Sequence, residues 1–154
     1  MAGRAFLKPI LVLWAVLPTY ALADDARARV NYMIHCQGCH LPGAVGHPGK
    51  VPRLSNFVGY FLHSTEGREF IVRVPGVATS SLPDDQLSEL VNWILVTYSK
   101  EQLPPDYVAY TEAEIARLRP QLELDPESKR LEILGRIASG VPTLAKELQQ
   151  VADY

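Results

Sequence analysis

Cysteine is scarce in this chain of 154 residues: Cys36 and Cys39 are the only two. That excludes a disulfide-dense scaffold and a four-cysteine zinc site. Methionine is equally scarce, with Met1 and Met33. Positive charge is not in excess: 15 basic residues face 17 acidic ones, a formal net charge of −2. Nothing electrostatic therefore recommends nucleic acid as a partner. The apolar run at residues 10–17 has eight residues, far short of the roughly 20 that a membrane span needs, and no later stretch is apolar enough. There is no repeat, glycine-rich phosphate loop or low-complexity tract. What is there is ordinary globular material, 47% apolar and 21% charged. The length suits one domain rather than two.

The first 23 residues have the three parts of an export signal. Arg4 and Lys8 make a positive start, residues 10–17 (ILVLWAVL) an apolar centre, and Ala21-Leu22-Ala23 a small-residue cleavage site before Asp24-Asp25. The expectation is a periplasmic protein cleaved after Ala23, with no membrane span left in the mature chain. The segment carries two bases and no acid. Of 15 basic and 17 acidic residues the mature chain keeps 13 and 17, a net charge of −4. A partner with a basic docking patch would be steered towards it.

Cys36-Gln37-Gly38-Cys39-His40 is C-x-x-C-H, the attachment sequence of c-type haem. Cysteines three residues apart lie on nearly one side of a helical turn, so both thiols can reach the vinyl groups of one porphyrin. The histidine that follows can aim its imidazole at the iron. Three other readings compete. A thioredoxin-type redox pair wants a preceding strand and a βαβ context, whereas a helical segment precedes this motif. A zinc site wants further cysteine or histidine ligands at matching spacing. A disulfide is strained at this spacing and leaves His40 unexplained.

The pattern predicts helices throughout. A first helix is expected from a cap at Asp24 or Asp25 to about Cys39, with Val30, Met33, Ile34 and Gln37 on one side. Residues 40–53, rich in glycine and proline, read as a loop. Short helices are expected at 54–62 and 66–73. The clearest helix opens at Pro83-Asp84-Asp85 and carries Leu87, Leu90, Val91, Ile94, Leu95 and Tyr98 at helical spacing; Trp93 and Tyr98 read as core. Beyond it, Thr111-Glu112-Ala113-Glu114 is a capping box for a helix to Arg119. Asp125-Pro126-Glu127 opens another with Leu131, Leu134 and Ile137 apolar, and residues 142–152 make a third.

From about residue 26 to 99 the chain resembles a monohaem cytochrome c of the class I type. The resemblance rests on Cys36 to His40 closing the first helix, on Val51-Pro52-Arg53-Leu54 after the loop, and on an amphipathic helix after Leu82-Pro83-Asp84-Asp85. It implies an all-α, class I cytochrome c-like haem domain at 24–102 with a helical C-terminal extension at 103–154. It implies one covalently bound haem c per chain, held by Cys36, Cys39 and His40, with His40 as axial ligand. It also implies that the Pro52 carbonyl accepts a hydrogen bond from His40 and orients it.

One departure matters. Val74-Pro75 stands where the family carries its methionine ligand, and no methionine follows Met33. His63 is a candidate second axial ligand. His47 is a weaker one, Asn56 an unusual donor, and His35 reads as a surface residue. The function implied is electron carriage rather than enzymatic turnover, between a periplasmic dehydrogenase and an oxidase or second cytochrome. The alternatives are a haem protein with an open or weakly ligated iron, engaged in ligand binding, sensing or peroxidase-like chemistry, and a haem subunit of a larger redox enzyme. The compartment is directly testable. Mass spectrometry of the exported protein should find a chain beginning at Asp24, and a mature product that retains Trp14 would mean an anchor instead.

Overall fold

The computed structural model describes residues 20 to 151. The apolar centre of the expected export signal therefore lies outside the described residues, as do residues 152–154. Among the described residues the protein is all-α, with no strand and one isolated bridge between His47 and Val51. Its helices are α1 (Tyr20–His35), α2 (Gln37–His40), α3 (Thr65–Arg73), α4 (Pro75–Ala78), α5 (Asp84–Tyr98), α6 (Glu112–Leu118), α7 (Pro126–Ala138) and α8 (Pro142–Val151). None of the described helices is long and apolar enough to cross a membrane.

The first helix departs from expectation at both ends. It begins at Tyr20, so Asp24 and Asp25 lie in its second turn rather than capping it; the preceding Tyr-Ala-Leu-Ala is competent to form helix. It ends at His35, not near Cys39. The Cys36 amide still bonds the Tyr32 carbonyl at 2.9 Å, but Cys36 has a φ of −123°, and the chain restarts as the single turn α2. The buried face also differs. Ala28, Asn31 and Tyr32 are buried, whereas Val30, Met33 and Ile34 are 52%, 54% and 68% exposed. A period of 3.6 puts 28 and 32 on one side and 30, 33 and 34 on the other, and the aromatic partners of Tyr32 decide which side turns inward.

Those partners lie on α5, the helix that α1 packs against. Tyr32 has its ring centroid 5.7 Å from Trp93 and 5.3 Å from Tyr98, which are 5.4 Å from each other. Such ring contacts contribute about 0.5–1.5 kcal/mol beyond their burial. Arg27 forks onto Glu89 across the same junction. Leu87, Leu90, Val91 and Leu95 bury the inner face of α5.

The expected helix at 54–62 is instead a loop followed by a 3-10 turn at Val58–His63. Asn56 adopts a left-handed φ of 53°, and its amide bonds the Tyr98 carbonyl at 2.6 Å. That conformation interrupts any helix before Val58. Gly59 comes so close to the Ser99 carbonyl that a Cβ would stand 2.6 Å from it, which keeps this turn against the end of α5. The helix α3 then starts at Ser64, whose hydroxyl accepts from the Gly67 amide at 3.0 Å.

Residues 103–151 wrap the preceding part and share its core. Tyr110, Ile115, Leu118, Ile133, Leu134, Ile137 and Leu144 join the same buried cluster as Tyr32, Phe57 and Leu90. Thr111 and Asp125 cap α6 and α7 through the Glu114 and Ser128 amides. On α7, Ile133 is buried in place of the expected Leu131, which is 62% exposed. Ion pairs tie the extension down: Arg68 with Glu114, Arg119 with Asp84, Arg73 with Glu123, and Glu66 with Lys129 and Arg136.

The firmest tie is Asn92 of α5. Its Oδ1 accepts from the Tyr110 amide (2.8 Å) and the Tyr107 hydroxyl (2.9 Å), and its Nδ2 donates to the Tyr110 carbonyl (2.9 Å). Asn92→Ala should cost about 2–3 kcal/mol, because it strands polar groups around buried Tyr110. Urea denaturation measures this, and a loss below about 0.5 kcal/mol would mean that the extension is held by other contacts.

Candidate functional site

The motif cysteines sit where α1 breaks. Cys36 caps the turn of α2, and its carbonyl accepts from the amides of Cys39 (3.2 Å) and His40 (2.9 Å). This places both sulfurs and the imidazole on one turn. Both cysteines are free thiols; Cys36 is half-buried against the core and Cys39 is exposed. Burial, with the neighbouring Cys39, pushes the Cys36 thiol up to about 11, so it is a neutral thiol at pH 7.

His40 is held from its far side. Its Nδ1 lies 3.0 Å from the Pro52 carbonyl oxygen. A carbonyl can only accept, so Nδ1 carries the proton, and in the neutral ring Nε2 is left with a free lone pair. Burial lowers the imidazole's pKa, and the Pro52 hydrogen bond works against that shift without overcoming it. The result is a neutral, oriented imidazole with one open nitrogen, the form in which histidine ligates a metal.

The loop from Leu41 to Pro52 is built to place that carbonyl. Leu41 has a φ of 64°, uncommon for a side chain of its size, and its carbonyl accepts from the Tyr32 hydroxyl at 2.7 Å. Burial pushes that phenol up to about 12, with Tyr98 and Cys36 adding to the shift, so it remains a donor. Buried Ala44 accepts from the amides of Leu54 (2.8 Å) and Ser55 (3.0 Å). His47 and Val51 exchange amide-to-carbonyl bonds of 2.9 Å. Gly46 closes the loop at a φ of 67°, where a Cβ would overlap the Val51 carbonyl and stand 2.8 Å from the Pro52 carbonyl carbon and the Arg53 nitrogen. Only glycine fits there.

The remaining candidates stand apart from this arrangement. His63 is exposed, and its Nε2 donates to the Gln102 carbonyl at 3.0 Å. Its ring neighbours Tyr60, and none of these contacts is shared with His40. His47, His35 and Asn56 are exposed. Among the described residues no three His, Cys, Asp or Glu side chains gather as a metal cage.

Several residues near the site escape a reading of the sequence. Tyr32 is foreshadowed only by its place one turn before Cys36. Arg53 follows Pro52, pairs with Glu147 of α8 and lies over the ring of Phe57, with its guanidinium carbon 5.2 Å from the centroid. Arg130 of α7 approaches the same ring at 5.0 Å, and no spacing signal marks it.

The chain matches no known family, no curated protein and no solved structure. The site's geometry therefore stands by itself. Gly46→Ala should destabilise the protein by at least about 2 kcal/mol, since the added carbon collides with the backbone that carries Pro52. Gly38→Ala, where nothing lies within 4 Å, should be close to neutral. Equal stabilities for the two variants, measured by thermal or urea unfolding, would contradict the role given to the loop.

Proposed function

We propose that this protein is an exported, monohaem c-type cytochrome that carries single electrons. The observation that supports the reading best is the contact between His40 Nδ1 and the Pro52 carbonyl, because it leaves Nε2 free on the same turn as two free thiols. The donor set fits a tethered haem. A porphyrin supplies four nitrogens itself, so the chain needs to provide axial ligation and attachment rather than a cage of side chains.

When bound, haem supplies a one-electron ferric–ferrous couple. The chain's own residues do the rest. Cys36 and Cys39 would each add across one vinyl group, sulfur to one carbon and proton to its neighbour, with nothing released. His40 would hold the iron through Nε2, and Pro52 would fix the ring and raise its basicity. The aromatic cluster of Tyr32, Trp93 and Tyr98 keeps α1 against α5, so the turn that bears the ligands does not move when the electron arrives or leaves. The donor would be a periplasmic dehydrogenase, and the acceptor an oxidase or another cytochrome. The acidic balance of the mature chain favours partners with basic faces.

Two observations favour a second reading, an iron without a strong sixth ligand from the chain. Met33 stands exposed on α1, three residues before Cys36, and His63 already gives its Nε2–H to Gln102. An iron of this kind would bind external ligands.

Acid–acetone extraction should leave the haem on the polypeptide, and Cys36→Ala or Cys39→Ala should leave at most one thioether. Release of all the haem contradicts the attachment. The ferric spectrum should lack the methionine-to-iron charge-transfer band, and the potential should lie below that of His/Met cytochromes c. A low-spin ferric protein turned high-spin by His63→Ala would make His63 the sixth ligand. A high-spin wild type that takes up carbon monoxide when reduced would make the site open.

A further inference from the structure

Two arginines converge on one buried ring. The guanidinium carbons of Arg53 and Arg130 lie 5.2 and 5.0 Å from the centroid of Phe57, itself 2% exposed. Arg53 has a counter-charge in Glu147 of α8. Arg130, half-buried on α7, has no hydrogen bond or ion pair with any described residue. Other arginines of the extension do find acids: Arg117 pairs with Glu69, Arg119 with Asp84, and Arg136 with Glu66 and Glu132. The Arg53, Arg130 and Glu147 group therefore retains one positive charge in a partly desolvated place. A cation–π contact offsets only a fraction of that cost. Burial and the neighbouring Arg53 charge both hold the Arg130 guanidinium below the ordinary arginine range, which is the signature of a cation whose anion is missing from its surroundings.

The position identifies the anion. Arg53 is bonded directly to Pro52, whose carbonyl holds His40. The two guanidiniums thus flank the segment that fixes the axial histidine. We propose that Arg130, presented by the C-terminal extension, is the counter-ion of a haem carboxylate and places α7 over the haem edge. This rests on the haem reading above. It gives the extension a function in the site: the planar fork of an arginine is suited to a carboxylate, and a fixed positive charge beside the haem favours the ferrous state.

The test uses the holoprotein with its covalent haem first verified by extraction. Arg130→Met, which keeps the bulk over Phe57, should lower the reduction potential by several-fold in the ferric–ferrous ratio, up to about tenfold, or 59 mV for one electron. With haem isotopically labelled at its carboxylates, the infrared carboxylate stretch should move in the same variant. Arg130→Lys should restore most of the potential. Arg136→Met removes the same charge from an exposed position of the same helix and should change the ratio by less than about twofold, because solvent and salt screen it. An unchanged potential and carboxylate band in Arg130→Met, with haem still attached, overturn this inference alone. A wild-type potential that follows added inorganic phosphate at constant ionic strength also overturns it, since Arg130 would then serve free anions. Absence of covalent haem overturns both this inference and the proposed function.

Discussion

A carbonyl oxygen can only accept a hydrogen bond, and the Pro52 carbonyl stands 3.0 Å from His40 Nδ1. That one constraint sets the tautomer of the imidazole, its orientation and the availability of Nε2. Much of the surrounding structure serves it. Tyr32 anchors Leu41 at the start of the loop, Ala44 and Gly46 draw its end inward, and the Tyr32–Trp93–Tyr98 cluster keeps the ligand-bearing turn against α5. The strained φ values at Leu41 and Ala44 fall within this loop. Local strain of this kind costs of order 1–3 kcal/mol per residue and survives where its surroundings over-determine it.

The extension belongs to the same construction. Without it, Tyr110, Leu118 and Ile133 would be missing from the core, and Arg68 and Glu66 would lose the acids and bases that engage them. Exposed pairs such as Lys129 with Glu66 contribute little individually. The buried apolar contacts and the Asn92 bonds to Tyr107 and Tyr110 do more. By carrying Arg130 to Phe57 and Glu147 to Arg53, the extension also sets the charge around the segment after Pro52.

How much could be read in advance depended on how local each signal was. Helices marked by caps were legible: Thr111 and Asp125 cap α6 and α7, and Pro83 precedes α5 as expected. The partnership of His40 and Pro52 followed from a resemblance in motif. The burial of α1 was not legible, because Val30, Met33 and Ile34 are as apolar as the residues that turn inward, and only the rings of α5 decide between the faces. The helix expected at 54–62 failed for a related reason. The left-handed Asn56 is imposed by the Tyr98 carbonyl, more than 40 residues away. Arg130 was invisible for the plainest reason, being one charged residue among many on an amphipathic helix, and only its approach to Phe57 and its lack of an acid set it apart.

The most direct test of the account is the mass of one tryptic peptide. Cleavage after Arg29 and Lys50 yields residues 30–50, which contain Cys36, Cys39 and His40. From protein produced in cells that export it and attach haem, this peptide should carry the mass of one haem, with no thiol left to alkylate. The peptide at its unmodified mass, with both cysteines free or joined to each other, would contradict the account.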